Sequence, residues 1–458
     1  MGLKKANLSK RYQFVLITMD QFSFTPQELT PYIAILILVV FILITSYTKG
    51  FREFWSPLTI VAIIYGYYCC LGPYQAVSTG DTYDRLLNMR PFYVSAFWGG
   101  FVSLLSIMLG FYINQGPYKF RKVQSFPTAA LLDYGRKAFL AGFILFTMST
   151  GGNVGKLINP LDAEYVQQVG GSFGNYLGLS INFLIPGVTF LFTYFILTRK
   201  SLLWFLIAFA VTIGLFISLG FRYRLVLLLG SMAIVYYYTI RKKPNIIIAS
   251  VGIVALIAFM GLINQTRQYG AGLNTKKLEE GNTTEYYESG LREALIFQTF
   301  GAVIDIVPER HPHAGLQPIW STLIFPIPRA LFPEKNSSDY LFDTLDAIYG
   351  KKISQGAAMM SYGEYYLAFG WTGIVIGSFL IGWFYKKLWF WYKVNYSNPF
   401  VIVVYAVAVT YLYVILSRGY LPQVTMLFFF TVFPAYFVLW LAKKKYKVLL
   451  RKRIPGVV

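Results

Sequence analysis

Arg222 and Arg224 stand two residues apart in Ser218-Leu219-Gly220-Phe221-Arg222-Tyr223-Arg224-Leu225, where one apolar run turns into the next. Arg418 ends a later run in Ser417-Arg418-Gly419-Tyr420, and Arg267 follows another closely. A guanidinium keeps its charge and grips phosphate oxygens bidentately, so arginines at this level suit a diphosphate. Arginines snorkelling at helix ends would look the same. In Pro326-Ile327-Pro328-Arg329-Ala330-Leu331-Phe332-Pro333-Glu334-Lys335 the prolines stiffen the backbone, which would hold Arg329 in one place. An ordinary proline-rich surface loop has the same composition. Glu364, the last acid of the chain, opens an apolar run in Gly363-Glu364-Tyr365, where it suits a general base or a structural partner of an arginine. His311 and His313 are the only histidines, and each is either a base near neutral pH or a solvated loop residue.

Other chemistries find little support. Asp81-Thr82-Tyr83-Asp84 is not a DxD metal motif, and neither is Asp162/Glu164. Cys69 and Cys70 are adjacent in an apolar run, where helical neighbours do not easily bridge. With two histidines, a Cys/His zinc site is not expected, and neither a metal nor a cofactor is assigned. No GxxxxGK[ST] loop is present for an ATP-driven pump. No apolar run holds an internal Asp or Glu of the kind that ion-coupled transporters use. Sequons occur at Asn264, Asn282 and Asn336, but the pattern is short and carries little weight.

The elements that must position these residues are membrane helices. Of 458 residues 56% are hydrophobic and 13% charged, against about 25% charged in soluble domains. A helix needs about 17–25 apolar residues to cross roughly 30 Å of hydrocarbon. Such runs fall at 31–48, 56–74, 93–113, 137–150, 176–197, 201–219, 224–240, 246–263, 365–385, 399–417 and 424–442, the fourth being short. The expected fold is an all-α polytopic membrane protein with 11 or 12 transmembrane helices. Its divisions are an N-terminal tail (1–30), helices one to eight (31–263), a connection (264–364), helices nine to eleven (365–442) and a basic tail (443–458). No cleavable signal peptide is expected, since the first 30 residues are too polar.

The net charge of +21 then reads as topology and not as a nucleic-acid signature. The tail carries Lys443, Lys444, Lys445, Lys447, Arg451, Lys452 and Arg453 and is placed in the cytoplasm. Alternate connections carry Lys386, Lys387 and Lys393; Arg241, Lys242 and Lys243; Arg199 and Lys200; Lys119, Arg121, Lys122, Arg136 and Lys137; and Lys49 and Arg52. All fall on the same side. Lys4, Lys5, Lys10 and Arg11 do not fit, because eleven spans leave them outside. A further span, a surface-bound tail and a start at Met19 each account for them. The 264–364 connection falls on the outer side with twelve of the chain's twenty acids against nine bases. Connections this long are usually functional. Within it Ser338 and Asp339 form a cap signal, Leu341, Leu345 and Ile348 share a face, and Gly350 ends the run. Residues 284–304 suit a second, amphipathic helix.

The Gly220-Phe221-Arg222-Tyr223-Arg224 turn, the late outer loop, its Pro326-Ile327-Pro328-Arg329…Phe332-Pro333…Lys335 segment and Gly363-Glu364-Tyr365…Phe369-Gly370 resemble the O-antigen/capsule polysaccharide polymerase (Wzy-type) family. The motifs cover roughly 218–377, and the spans agree in arrangement over most of the chain. The resemblance implies a metal-independent GT-C-type glycosyltransferase of a bacterial cytoplasmic (inner) membrane, acting on its outer face. It would join undecaprenyl-diphosphate-linked repeat units and release undecaprenyl diphosphate. Arg222, Arg224, Arg267, Arg329 and Arg418 would hold the diphosphate, and His311, His313 or Glu364 would act as base. Membrane lipid and a chain-length regulator are the expected partners. O-antigen ligases share the layout, and a lipid-linked oligosaccharide flippase is the non-enzymatic alternative.

Overall fold

The computed structural model describes residues 23–84, 87–113, 118–124, 126–153, 174–220, 222–268, 272–273, 283–328, 331–332, 340–350 and 358–453. The described chain is helical apart from two hairpins of two-residue strands. Its principal helices are α1 (Pro26–Thr48), α2 (Pro57–Tyr65), α3 (Gly72–Thr79), α4 (Tyr93–Ile113), α5 (Ala129–Ser149), α6 (Gly174–Leu179), α7 (Leu184–Thr198), α8 (Leu202–Ser218) and α9 (Arg222–Ile240). Then follow α10 (Ile246–Thr266), α11 (Thr283–Arg292), α12 (Gln298–Ile306), α13 (Gln317–Ile324), α14 (Tyr340–Tyr349), α15 (Ser361–Asn395), α16 (Pro399–Thr410), α17 (Leu412–Ser417) and α18 (Leu421–Arg453).

Nine helical stretches among the described residues are long and apolar enough to cross a membrane. Each of the eleven apolar runs lies on a helix. The two outside the nine are α5, whose first turns hold Asp133, Arg136 and Lys137, and α8, which is 17 residues long. Lipid explains the exposed apolar surface. On α10 Ile247, Ile248 and Val251 are 73, 65 and 64% exposed, which water would not tolerate over a whole helix face. The chain is a multi-pass membrane protein.

Local signals account for the element boundaries. Thr25 and Glu28 form a reciprocal capping box that starts α1. The Glu28 carboxylate also pairs with Arg90 at 2.6 Å, tying the start of α1 to the turn before α4. Pro73 has no N–H to give, and the helix opens into a π turn over Gly66–Leu71 around it. Cys69 and Cys70 lie in this turn, both buried and both free. α15 bends at Phe369–Gly370, where Gly370 adopts φ +64°, ψ −150°. Only glycine occupies that region readily.

Helices meet closely where glycines remove side-chain bulk. A Cβ at Gly110 would lie 2.1 Å from the Phe379 carbonyl oxygen, and one at Gly382 would lie 2.0 Å from that of Ile107. α4 and α15 therefore touch backbone to backbone. Between them Ser103 Oγ lies 2.7 Å from both Tyr65 Oη and Ser378 Oγ, a buried polar thread through an apolar layer.

The bundle has two distinct ends. At one, Lys393 pairs with Glu53, Arg52 stacks on Tyr396 at 4.2 Å and Lys243 Nζ donates to the Tyr47 carbonyl at 2.8 Å. At the other lie Glu28, Arg90, Asn182, Arg222, Glu364 and Arg418, together with the segments between α10 and α15.

Residues 284–304 depart from the expected continuous amphipathic helix. The segment runs as α11, a 3₁₀ stretch Glu293–Phe297, and α12. It also wedges among the spans. The Tyr67 hydroxyl donates to the Gly290 carbonyl at 2.5 Å, and a Cβ at Gly290 would lie 2.2 Å from the Ile257 carbonyl oxygen. Phe297, Phe300 and Val303 are fully buried, and Phe300 fills the space that Gly99 leaves on α4. α14 forms as expected, with Leu341 and Leu345 buried and Gly350 ending it at φ +85°. Its cap residues Ser338 and Asp339 lie outside the described residues.

Candidate functional site

The arginines are assembled by the short connection between the end of α8 at Ser218 and the start of α9 at Arg222. Gly220 takes φ +64°, which lets the chain reverse at once. The reversal puts Arg222, Tyr223 and Arg224 on the first turn of α9. Arg224 points inward and is 4% exposed. Its Nε donates to Asn182 Oδ1 at 3.1 Å, and its guanidinium lies 5.4 Å from the Tyr223 ring and 5.9 Å from that of Phe216. Arg418, at the end of α17, lies 5.0 Å from the same Tyr223 ring. One tyrosine ring thus lies near two guanidinium groups, which repel each other electrostatically. Arg222 is half-buried within electrostatic reach of the Tyr67 hydroxyl. Cations gathered in a low-dielectric setting are stabilised by an anion placed among them.

Tyrosine hydroxyls surround this cluster. Tyr68 donates to Tyr413 at 3.0 Å, Tyr67 to Gly290, and Tyr411 to the Val424 carbonyl at 2.5 Å. The oxygens of such groups can accept from sugar hydroxyls without further charge.

Glu364 lies in the adjoining layer. Gly419 N–H donates to the Met359 carbonyl at 2.8 Å, so 359–364 and 418–421 run side by side. Glu364 is 3% exposed. Its Oε1 accepts from Leu421 N–H at 2.8 Å, at the start of α18, and from the Tyr340 hydroxyl, at the start of α14. A carboxylate at a helix N-terminus satisfies an otherwise orphan donor and meets the positive end of the helix dipole. Tyr340 and Phe342 pack on Tyr420, as does Phe325 from beyond α13. The Tyr176 hydroxyl donates to the Pro326 carbonyl at 3.0 Å, pinning the proline segment to the helix that leads to Asn182.

The remaining predicted residues fall elsewhere. Arg329 lies outside the described residues. Arg267 is in the strand Arg267–Gln268 paired with Gly272–Leu273, and its side chain is not described. His313 is exposed and stacks edge-on against Tyr366, beside the Gly370 bend. His311 Nδ1 faces the adjacent Pro312 carbonyl at 3.1 Å. Neither histidine makes a described contact with the arginine cluster. No group of three His, Cys, Asp or Glu gathers among the described residues to hold a metal.

Several residues that complete the site carry no sequence signal of their own. Asn182 is one amide inside an apolar run. Tyr67, Tyr68, Tyr223, Tyr340 and Tyr413 are five of 36 tyrosines. The neighbourhood of Tyr223 and Tyr340 was marked by the motifs, but their roles appear only once the helices pack. No family model matches the sequence, and no curated protein or solved structure matches it significantly.

Proposed function

We propose that this chain polymerises undecaprenyl-diphosphate-linked oligosaccharide repeat units into a surface polysaccharide, an O-antigen or capsule, at the outer face of a bacterial cytoplasmic membrane. The observation that carries this reading is the gathering of Arg224 and Arg418 around Tyr223, with Arg222 alongside and Glu364 in the next layer. The cluster lies at the end of the bundle opposite the basic residues Arg52, Lys243 and Lys393. By the positive-inside rule the end with Arg52, Lys243 and Lys393 meets the cytoplasm, and the cluster's end faces outward.

In the reaction, a hydroxyl of one lipid-linked repeat attacks the anomeric carbon of the growing chain. The bond from that carbon to the diphosphate oxygen breaks, and undecaprenyl diphosphate leaves with the electron pair. Arginines preorganised around the leaving group stabilise its charge as it develops. The proton of the attacking hydroxyl passes to the Glu364–Tyr340 pair, the acidic group adjoining the cluster. Positive charge comes from guanidinium groups, so the reading is metal-independent.

The test is the length distribution of lipid-linked glycan in a strain making Arg222→Ala or Arg418→Ala protein at wild-type levels. Single repeat units should accumulate, with polymerisation slowed on the order of 10²–10³-fold as for loss of one oxyanion-type donor. Unchanged chain lengths in both variants would remove the site assignment. A wild-type activity that moves glycan onto lipid A-core without lengthening it would point to a ligase. Transbilayer flux without covalent change would point to a flippase.

A further inference from the structure

A second charged site lies at the opposite end of the bundle. The last turn of α1, the one-turn helix Phe51–Phe54, the start of α2, the end of α4 and the last third of α15 enclose a cavity of about 420 Å³. Lys49, Lys386 and Lys393 line it together with Glu53. Glu53 is committed to Lys393. Lys386 lies across the Phe111 ring at 4.3 Å and within electrostatic range of both other lysines. The hydroxyls of Ser46 and Ser56, both in buried residues, add donors to the wall. Three like charges brought to one polar hollow, with one carboxylate among them, leave an excess of two positive charges facing the cavity.

Above the cavity the surface turns apolar. Phe41, one turn before the cavity-lining Thr45 on α1, is 51% exposed, and Leu109 and Leu105, one and two turns before the cavity-lining Tyr112 on α4, are 44 and 36% exposed. A headgroup in the hollow would therefore continue into acyl chains along a ready strip. We propose that this cavity binds the phosphate headgroup of an anionic phospholipid in the leaflet opposite the arginine cluster. Basic pockets between helices at a membrane face recognise such headgroups. The inference is independent of the polymerase reading. It would anchor α1 to α15, and so brace the far end of the helix whose first turn carries Glu364.

The experiment uses full-length protein in neutral detergent, titrated with phosphatidylglycerol, with phosphatidylcholine and with inorganic phosphate, while thermal unfolding is followed. Phosphatidylglycerol should raise Tm saturably and phosphatidylcholine should not. In Lys49→Gln and Lys386→Gln proteins its affinity should fall roughly fivefold each, the equivalent of about 1 kcal/mol per lysine near a charged surface. Lys243→Gln, at the same end but off the cavity, should match wild type. The variants' Tm without lipid reports whether they fold, and lipid retained in native mass spectrometry provides a second readout. Lysine-dependent protection by inorganic phosphate alone would assign the cavity to a soluble phosphate. Equal protection of wild type and the Lys49→Gln/Lys386→Gln double variant would overturn the site.

Discussion

At the scale of single residues, Glu364 and Arg224 show how burial sets a role. A buried carboxylate costs several kcal/mol unless its lone pairs are satisfied. Glu364 meets that demand with Leu421 N–H and the Tyr340 hydroxyl. Tyr340→Phe removes one hydrogen bond to a charged group, so unfolding stability should fall by about 1.5–3 kcal/mol. Glu364→Gln keeps an oxygen for Leu421 N–H but abolishes the proton acceptor. If Glu364 serves as base, polymerisation should drop on the order of 10²–10⁴-fold while Tm changes little. A fall in Tm with normal turnover per folded molecule would make Glu364 a cap alone. Arg224 is a sharper case. Lysine cannot span Asn182 and stack between Tyr223 and Phe216 with one planar group. Arg224→Lys should therefore lose most of the activity lost in Arg224→Ala, measured as repeat units added per folded molecule. Recovery to wild-type rates would show that charge alone suffices there.

At the scale of elements, much was legible because membrane spans announce themselves by composition. All eleven apolar runs became helices, since backbone groups in lipid must be satisfied within the segment. Gly350 and the Leu341/Leu345 face gave α14 correctly, because a short amphipathic helix obeys local rules. The 284–304 segment did not follow them. Its polar and apolar residues suggested one amphipathic helix, yet the segment breaks into three pieces and Gln298, Thr299 and Phe300 are buried against α4 and its neighbours. What decides its place is Gly99 and Gly261 on other helices, whose missing side chains open the slot, and a glycine in one helix does not name its partner. The Gly110 and Gly382 contact likewise shows no signal in either run alone. There a Cβ would stand about 2 Å from a carbonyl oxygen, so even alanine must push the helices apart. Gly382→Leu should lower the detergent Tm by several degrees. A substitution of comparable size at lipid-facing Gly252, which has open space around it, should leave Tm within experimental error. Equal effects at both positions would mean that α4 and α15 do not rely on backbone contact.

At the scale of the whole molecule, the distribution of charge is what orients the site. The sequence contrast between basic connections and the acidic 264–364 connection became two physical ends of one bundle, with the arginine cluster at the end away from Lys243 and Lys393. The site itself was legible only in part. Arg222, Arg224, Arg418 and Glu364 could be named from local motifs, whereas their tyrosine and asparagine neighbours come from distant helices and had no local mark. The orientation is open to direct measurement because both native cysteines are buried and give little background. Glu309→Cys places a thiol at an exposed position after α12, and Lys242→Cys places one in the exposed turn after α9. If the arginine end faces outward, a membrane-impermeant maleimide added to intact spheroplasts should label Glu309→Cys and spare Lys242→Cys, with both reacting after permeabilisation. The reverse pattern would put the arginines in the cytoplasm, where polymerisation of exported repeat units could not take place. Labelling of neither before permeabilisation would place both ends of the bundle on the inner side, which an odd number of crossings between positions 242 and 309 forbids.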